Sequence, residues 1–194
     1  MKVVRLPIEE KKIRSLKIGD PVLIYGTMVT GRDEVHRYLV ENDDKKIAKI
    51  IKDTFIYHCG PIVMQHGKDL KMVCCGPTTS IREEPYQADV IERYGIRGII
   101  GKGGMNTKTL GALKEHGGVY LQATGGAAAL LSSYVKEVVD VHFLDEFGRP
   151  EAMWVIRVED FPAIVTMDSH GNSLHEKVLT DSAQNYKDIL DKIK

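Results

Sequence analysis

Several loop residues of this sequence are of the types that bind anions. The segment Gly76–Arg82 reads GPTTSIR and places three hydroxyl groups and a guanidinium group between a predicted strand and a predicted helix. The free amide groups and the dipole at the start of a helix favour negative charge, so this segment predicts an anion-binding site. The alternative is that Thr79 and Ser80 only cap the helix and that Arg82 is a solvated surface charge.

A second loop, Gly101–Gly104, follows the next predicted strand and contains Lys102 as its one long side chain. Its glycines allow the backbone to approach a ligand closely. The loop lacks both the glycine spacing and the following Ser or Thr of a nucleotide-binding P-loop, so a nucleotide-phosphate site is not expected. The alternative is an ordinary surface turn.

Two further turns lie at the ends of predicted strands. Arg32 lies between the predicted strand Pro21–Thr30 and the predicted helix Glu34–Glu41, and Thr124–Ala129 begins another helix with small residues that favour close packing. The loop at Thr124 and the two glycine-containing loops above would open on one edge of a sheet if their strands are parallel. Ligands of α/β proteins bind at that edge, so the convergence of these loops is the main functional prediction.

The cysteines do not suggest a metal site. An iron-sulfur cubane needs three or four thiolates, usually with CxxC-like spacing, and Cys59, Cys74 and Cys75 lack that pattern. We expect Cys74 and Cys75 to be buried core or strand-end residues and the chain itself to hold no metal. The odd number and the adjacency of two cysteines also argue against disulfides, which agrees with a reducing compartment.

The overall composition excludes some classes of partner. The chain has 194 residues, of which 43% are hydrophobic, and its 27 Lys and Arg residues balance 27 Asp and Glu residues. A single domain over residues 1–194 is therefore expected, with no general positive field to attract nucleic acid or a membrane surface. The N-terminal segment has no apolar run of signal-peptide length, so a cytoplasmic protein is expected.

The order of the predicted elements favours a layered α/β domain with a mixed sheet. Three short apolar runs look like a meander of hairpin-connected strands, and strands and helices then alternate. The predicted meander strands are Thr54–Tyr57, Ile62–Gln65 and Leu70–Cys74. The later predictions include helices over Gly125–Tyr134 and Ser182–Lys194 and two separate strands over Met153–Val158 and Phe161–Met167.

Six motifs carry a resemblance to a known family. They read TGRDEVH, GPTTSIR, GKGGM, ATGGAAALL, VEDFPAIV and DSHGN, in this order and over nearly the whole chain. The sequence resembles the β subunit of class I iron-sulfur fumarate hydratases and tartrate dehydratases. The resemblance implies a swivelling β/β/α domain, and it implies that a separate α subunit, or the N-terminal part of a fused chain, holds a [4Fe-4S] cluster.

The resemblance also implies the roles of four residues. Arg32, Thr78, Arg82 and Lys102 match the substrate-binding residues of the family, and Thr78 matches the residue that handles the proton at carbon with an acidic residue of the other subunit. A guanidinium fork suits one carboxylate of a dicarboxylate, while a lysine and hydroxyl groups suit the other. A threonine hydroxyl is a poor base without an activating environment. The role of His36, on the helix after Arg32, stays open.

The implied activity is the reversible hydration of fumarate to malate, in a complex that pairs each small subunit with a cluster-bearing subunit as α2β2. Dehydration of L-tartrate is the alternative, and a non-catalytic dicarboxylate-binding module is a further one. The sequence departs from the family pattern at two points. Arg82 is followed by Glu83 where the family usually has Met, which adds a carboxylate near the anion site, and Gly148–Trp154 is one residue longer than usual.

Overall fold

The computed structural model describes residues 1–67 and 69–193 of the chain. Within these residues it contains nine β-strands and eight α-helices. The strands are β1 (Lys2–Arg5), β2 (Pro21–Thr30), β3 (Phe55–Tyr57), β4 (Ile62–His66), β5 (Asp69–Cys74), β6 (Gly98–Gly101), β7 (Val119–Gln122), β8 (Val135–His142) and β9 (Met153–Met167). The helices are α1 (Glu10–Ile13), α2 (Asp33–Glu41), α3 (Lys45–Ile51), α4 (Glu84–Tyr94), α5 (Thr107–His116), α6 (Ala128–Ser132), α7 (Leu144–Phe147) and α8 (Leu174–Ile193), and a short 3-10 helix spans Ser80–Glu83.

Seven of the strands form one mixed sheet in the order β1-β2-β3-β6-β7-β9-β8. The strands from β1 to β7 in this order are parallel to their neighbours, whereas β9 is antiparallel to both β7 and β8. The long strand β9 also pairs with β2, from Pro21 opposite Ile164 to Val29 opposite Val155. The predicted layered α/β domain with a mixed sheet is confirmed.

The sheet has an apolar core on each of its two faces. Because successive residues of a strand point to opposite faces, Phe55 and Tyr57 of β3 belong to one hydrophobic cluster and Ile56 belongs to the other. The first cluster joins the main sheet to the β4–β5 pair, through Val63 and Met72, and also includes Ile13 of α1 and Leu131 of α6. The second cluster joins strands to helices α2 to α5, with Leu39 of α2 among its members. These two cores are the physical basis of the β/β/α layering.

The predicted meander before residue 75 is confirmed for its second and third strands and is wrong for its first. Strand β3 lies inside the main sheet between β2 and β6, whereas β4 and β5 form a separate antiparallel pair. The three residues of β3 are fully buried on both faces, but β4 begins with the exposed Ile62 followed by the buried Val63. A short strand inside a sheet and a short strand of a hairpin look alike in a sequence. The length of the apolar run therefore did not show that β3 belongs to the main sheet.

Three other element boundaries differ from the prediction. The two runs Met153–Val158 and Phe161–Met167 are one continuous strand, because β9 stays paired with β2 on both sides of the exposed Asp160. The predicted helix Gly125–Tyr134 shortens to α6, since Gly126 has a φ of +81°, outside the right-handed helical region.

Helix α8 begins at Leu174, before the predicted start at Ser182. The turn that precedes it is fixed by the Asp168 carboxylate, which accepts hydrogen bonds from the backbone amides of His170 and Asn172. The predicted end of this helix, Lys194, lies outside the described residues. In the described part of the chain, α8 has no fully buried residue, and no helix is both long and apolar enough to cross a bilayer.

Candidate functional site

The segment Gly76–Arg82 joins the parallel strands through its backbone. The amide of Thr78 donates to the carbonyl of His58, just after β3, at 2.7 Å, and the amide of Lys102 donates to the carbonyl of Thr78 at 3.2 Å. The amide of Ser80 in turn donates to the carbonyl of Lys102 at 3.1 Å. We call the edge formed by Arg32, His58, Gly76–Arg82 and Gly101–Gly104 the rim.

The convergence of the loops therefore has a different origin from the predicted one. The Lys102 loop does follow a parallel strand, β6, but the segment containing Thr78 comes from β5 in the small antiparallel pair. It reaches the rim because the β4–β5 hairpin returns the chain to the end of β3, where Thr79 and Lys102 form an isolated parallel bridge. The Thr124 loop contributes packing: a Cβ atom at Gly76 would lie 2.9 Å from the Cβ of Ala128.

Arg32 and Arg82 lie close enough to share one carboxylate. Arg32 immediately precedes α2, and its Nη2 is 3.9 Å from Asp33 Oδ2 and 3.2 Å from Glu151 Oε1. Nη2 of Arg82 is 3.0 Å from the same Asp33 oxygen. We call Arg32, Asp33, Arg82 and Glu151 the rim charges. The pair of Arg82 and Asp33 is nearly half exposed, so its net contribution to stability is small and an incoming carboxylate can take the place of Asp33.

Two of the residues around Arg32 carried no signal in the sequence. Glu151 lies in the lengthened segment before β9, far along the chain from Arg32, and only the fold brings the two together. Gly60 must lack a side chain because a Cβ atom there would lie 2.5 Å from Arg32 Nη1 and 2.9 Å from the carbonyl oxygen of Pro150.

Thr78 and Lys102 present polar groups that have no partner in the described part of the chain. The Oγ1 atom of Thr78 is buried without a hydrogen bond, although most buried hydroxyls have one. No carboxylate of the described residues lies within 4 Å of the Lys102 ammonium group. A Cβ atom at Gly125 would lie 3.6 Å from Lys102 Cδ, so the lysine stem runs beside the Thr124 loop. The four predicted residues thus lie on one rim as two pairs.

Glu83 is the extra carboxylate that the sequence places beside Arg82. Its side chain is fully buried, and both of its oxygens lack a hydrogen-bond partner among the described residues. Its Oε1 is 3.9 Å from Arg82 Nη2. Burial and the nearby Asp33 charge raise the pKa of Glu83 to about 7, against the opposing effect of Arg82. Glu83 therefore exchanges a proton near neutral pH.

A buried polar cluster lies beneath the rim and consists of His36, His58, Ser80, Gln87 and Tyr120. Nδ1 of His36 is 2.8 Å from the carbonyl oxygen of Arg32, and Nδ1 of His58 is 2.8 Å from Ser80 Oγ, to which the Tyr120 hydroxyl donates at 2.9 Å. Burial lowers the pKa of both histidines, so both rings are neutral. His36 is thus buried and neutral within this cluster, and no sequence pattern indicated His58 or Gln87.

The comparisons with known proteins decide the family. A family model described as the fumarase C-terminus matches residues 1–178. The chain belongs to this family. It is 52% identical over 183 residues to a protein of Geobacillus stearothermophilus named "Putative fumarate hydratase class I", and the match covers 93% of this chain but 35% of the relative. The chain thus spans about a third of that relative, and the resemblance seen in the motifs is confirmed.

Two other members of the family are of similar length to this chain. It is 42% identical over 174 residues to a protein of Methanocaldococcus jannaschii named "Putative L(+)-tartrate dehydratase subunit beta", which covers 88% of this chain and 89% of the relative. It is 37% identical over 174 residues to the L(+)-tartrate dehydratase subunit beta of Escherichia coli K12, which covers 89% of this chain and 86% of the relative. All three relatives thus carry the names of hydro-lyases or of hydro-lyase subunits.

The cysteines of this family member do not fit an iron-sulfur cluster. Cys59 and Cys75 are buried, and burial raises the pKa of the Cys59 thiol well above its usual range and that of Cys75 to about 12. Iron is bound by the thiolate, which these environments disfavour. In residues 1–67 and 69–193, no group of three or more His, Cys, Asp or Glu side chains is placed to hold a metal ion.

Proposed function

We propose that this chain is the dicarboxylate-binding subunit of a two-part iron-sulfur hydro-lyase that reversibly hydrates fumarate to malate in the cytoplasm. The observation that carries the proposal is the meeting of Arg32, Thr78, Arg82 and Lys102 on one rim in a member of this family. Two guanidinium groups and an ammonium group at one sheet edge suit a ligand with two negative charges.

Different residues of the rim bind the two ends of such a ligand. One carboxylate replaces Asp33 between the guanidinium groups of Arg32 and Arg82, which are pre-arranged to accept it. The other carboxylate is bound by the Lys102 ammonium group. The Thr78 hydroxyl, which has no partner in the described chain, then handles the proton at the reacting carbon. A threonine hydroxyl needs activation for this, and we assign that to an acidic residue of the partner subunit.

A partner subunit is also needed to complete the site. Small-ligand sites usually bury most of the ligand surface, whereas Arg82 is exposed and Lys102 is only half-buried. A neighbouring cleft of about 260 Å³ is lined by Ile81, Met105, His175 and other residues but by none of the four rim residues named above. We propose that the partner covers the rim and holds the [4Fe-4S] cluster, and that two such pairs assemble as α2β2.

L-tartrate dehydration is the second candidate. The relatives that match this chain over most of their own length are named as tartrate dehydratase β subunits, although the identity to the fumarate hydratase relative is higher. Both substrates are C4 dicarboxylates and differ in their hydroxyl groups. The rim charges suit the carboxylates of both, so the choice depends on groups that contact the middle of the substrate.

The proposed function is tested by co-producing the chain with a cluster-bearing partner subunit. We expect a complex with iron-sulfur absorbance that interconverts fumarate and malate, and assays with the tartrate isomers distinguish the second candidate. A complex without iron-sulfur absorbance and without hydro-lyase activity would contradict both. If such a preparation still bound dicarboxylates, the chain would be a non-catalytic binding module.

The role of Thr78 is tested by comparing two neighbouring threonines. Thr78→Val removes the unpartnered hydroxyl, whereas Thr79→Val makes the same change at an exposed position of the same segment. Loss of a proton-transfer group lowers kcat by about 100-fold or more, so we expect that loss for Thr78→Val alone. Equal kcat values for the two variants would show that Thr78 does not transfer the proton.

A further inference from the structure

Two histidine rings of the buried polar cluster contact one atom of Gln87. The Nε2 atoms of His36 and His58 lie 3.1 and 3.0 Å from the same terminal side-chain atom of Gln87, and the two rings meet edge to face with their centroids 4.9 Å apart. If that atom is the amide oxygen, both Nε2 atoms must carry a hydrogen. If it is the amide nitrogen, both Nε2 atoms must be acceptors. The oxygen and nitrogen of an amide are assigned from such networks.

The backbone of Arg32 decides between these two arrangements. Its carbonyl oxygen can only accept, so the His36 Nδ1 atom at 2.8 Å must carry a hydrogen. An oxygen of Gln87 facing Nε2 would then require a second hydrogen and an imidazolium ring. That ring would be fully buried, and no carboxylate of the described residues lies within 4 Å of it. Burying an unpaired charge is strongly unfavourable, so His36 is neutral and its Nε2 accepts.

His58 has the same tautomer because it contacts the same atom. Its Nε2 accepts from the Gln87 amide nitrogen, and its Nδ1 donates to Ser80 Oγ at 2.8 Å. The two hydrogens of the Gln87 NH2 group are thus used, one for each ring. The amide oxygen is the atom left without a partner, and an under-satisfied carbonyl is less costly than an orphaned amide hydrogen.

The resulting chain of hydrogen bonds connects the two halves of the rim. At one end the carbonyl of Arg32 accepts from both the amide and the Nδ1 of His36, which fixes the turn before α2. At the other end Ser80 Oγ accepts a hydrogen bond from His58 Nδ1, and the Ser80 amide donates to the carbonyl of Lys102. Gly101 leaves the space that this end needs, because a Cβ atom there would collide with Ser80 Oγ.

We infer that Gln87 is a positioning residue whose NH2 group holds His36 and His58 as neutral Nδ1–H tautomers and thereby fixes the Arg32 turn relative to Ser80 and Lys102. Gln87 is buried on α4, and within residues 1–67 and 69–193 its side-chain hydrogen bonds run to the two rings. The effect on substrate binding rests on the proposed function, whereas the tautomers and the fixed backbone do not.

The ring nitrogens of the wild-type protein test the first part of the inference directly. Long-range proton–nitrogen spectra should show His36 and His58 as Nδ1–H tautomers at neutral pH. A hydrogen on Nε2 of either ring would overturn the inference without any substitution. In Gln87→Glu, the new side chain has at most one hydrogen to offer, whether ionised or protonated, so at least one ring should change to an Nε2–H form.

The second part is tested by the same variant in the chain and in the assembled complex. Gln87→Glu should speed hydrogen exchange at the amides of Ser80 and Lys102, and it should raise the KM for the dicarboxylate by about 10- to 100-fold. Gln65→Glu makes the same change at an exposed hairpin position and should alter neither. Changed tautomers with unchanged exchange and KM would show that Gln87 positions nothing at the rim. If the wild-type complex has no hydro-lyase activity, the proposed function fails while the tautomer and exchange results still decide this inference.

Discussion

The rim charges and the buried polar cluster lie at the same edge of the sheet but are built in opposite ways. The rim charges form partly exposed ion pairs, and Asp33 is shared between two guanidinium groups at 3.0 and 3.9 Å. The buried polar cluster is uncharged, and each of its ring nitrogens has a defined partner. Only the first kind of group can exchange a protein partner for a ligand without leaving a buried atom unsatisfied.

This contrast explains how the rim can be stable and still be accessible to a ligand. Exposed ion pairs contribute little because water and salt compete with them, so replacing Asp33 by a ligand carboxylate costs little. A buried polar group that loses its partner keeps its full desolvation cost, so the cluster beneath resists rearrangement. Under the proposed function, the groups assigned to the ligand are therefore carried on a backbone that lies above a neutral network.

Glu83 belongs to neither group, because it is ionisable and yet buried. Its substitution has the largest expected effect on stability. Its pKa is raised from 4.5 to about 7 in the folded protein. The folded state therefore holds a proton between these values that the unfolded state has lost, and stability falls as pH rises through this window. Glu83→Gln removes that loss, so the variant should gain up to about 3 kcal/mol over wild type at pH 8.

Urea denaturation at pH 4.5 and pH 8 measures this effect. The advantage of Glu83→Gln should be largest at pH 8 and absent at pH 4.5. Glu92→Gln, at an exposed position of α4, the helix that follows Glu83, should show no such dependence on pH. An advantage of Glu83→Gln that does not change with pH would mean that Glu83 does not titrate in this window.

The cations of the rim provide the next test. Arg82→Ala or Lys102→Ala removes a charged hydrogen bond to the ligand, which is worth about 1.5–3 kcal/mol, so kcat/KM of the complex should fall by about 10- to 100-fold. The melting temperature should hardly change, because loop-end charges contribute little to the core. Lower melting temperatures with unchanged kinetics would assign these residues to structure. Lys136→Ala, at an exposed position of β8, is the matched control.

Much of the rim could be predicted from local sequence, and the cluster beneath it could not. Arg32 and Lys102 were placed at strand ends because a strand followed by a glycine-containing turn is a local pattern. His58 follows a three-residue strand whose sheet position was misassigned, and Gln87 is a polar residue on a helix that reads as amphipathic. Their contact depends on how α2, α4 and β3 pack, which no short pattern records. The contact of Glu151 with Arg32 could not be predicted for the same reason.

Adding a single methyl group next to Ser80 tests how rigid the buried polar cluster is. In Gly101→Ala the new Cβ collides with Ser80 Oγ and lies 3.0 Å from the Tyr120 hydroxyl, so overpacking should cost about 1–3 kcal/mol. Gly111→Ala adds the same methyl group to α5, where nothing lies within 4 Å, and should stabilise the protein by roughly 0.5–1 kcal/mol. Urea denaturation measures both. Equal stability of the two variants would show that Ser80 can move, and the cluster would then not be rigid.

Asp33→Asn has the smallest expected effect on stability, and it tests the exposed rim charges. It removes the carboxylate that the two arginines share, yet the free energy of unfolding should fall by less than about 1 kcal/mol, and by less still in high salt. Asp89→Asn, which removes a comparable pair with Lys108, should cost a similar amount.

The two variants should differ in substrate binding, because only Asp33 competes with a ligand carboxylate for Arg82. The KM should therefore fall in Asp33→Asn and stay unchanged in Asp89→Asn. A large rise of the KM in Asp33→Asn would mean that Asp33 orients Arg82 for the ligand, and the rim charges would then be as fixed as the cluster beneath them.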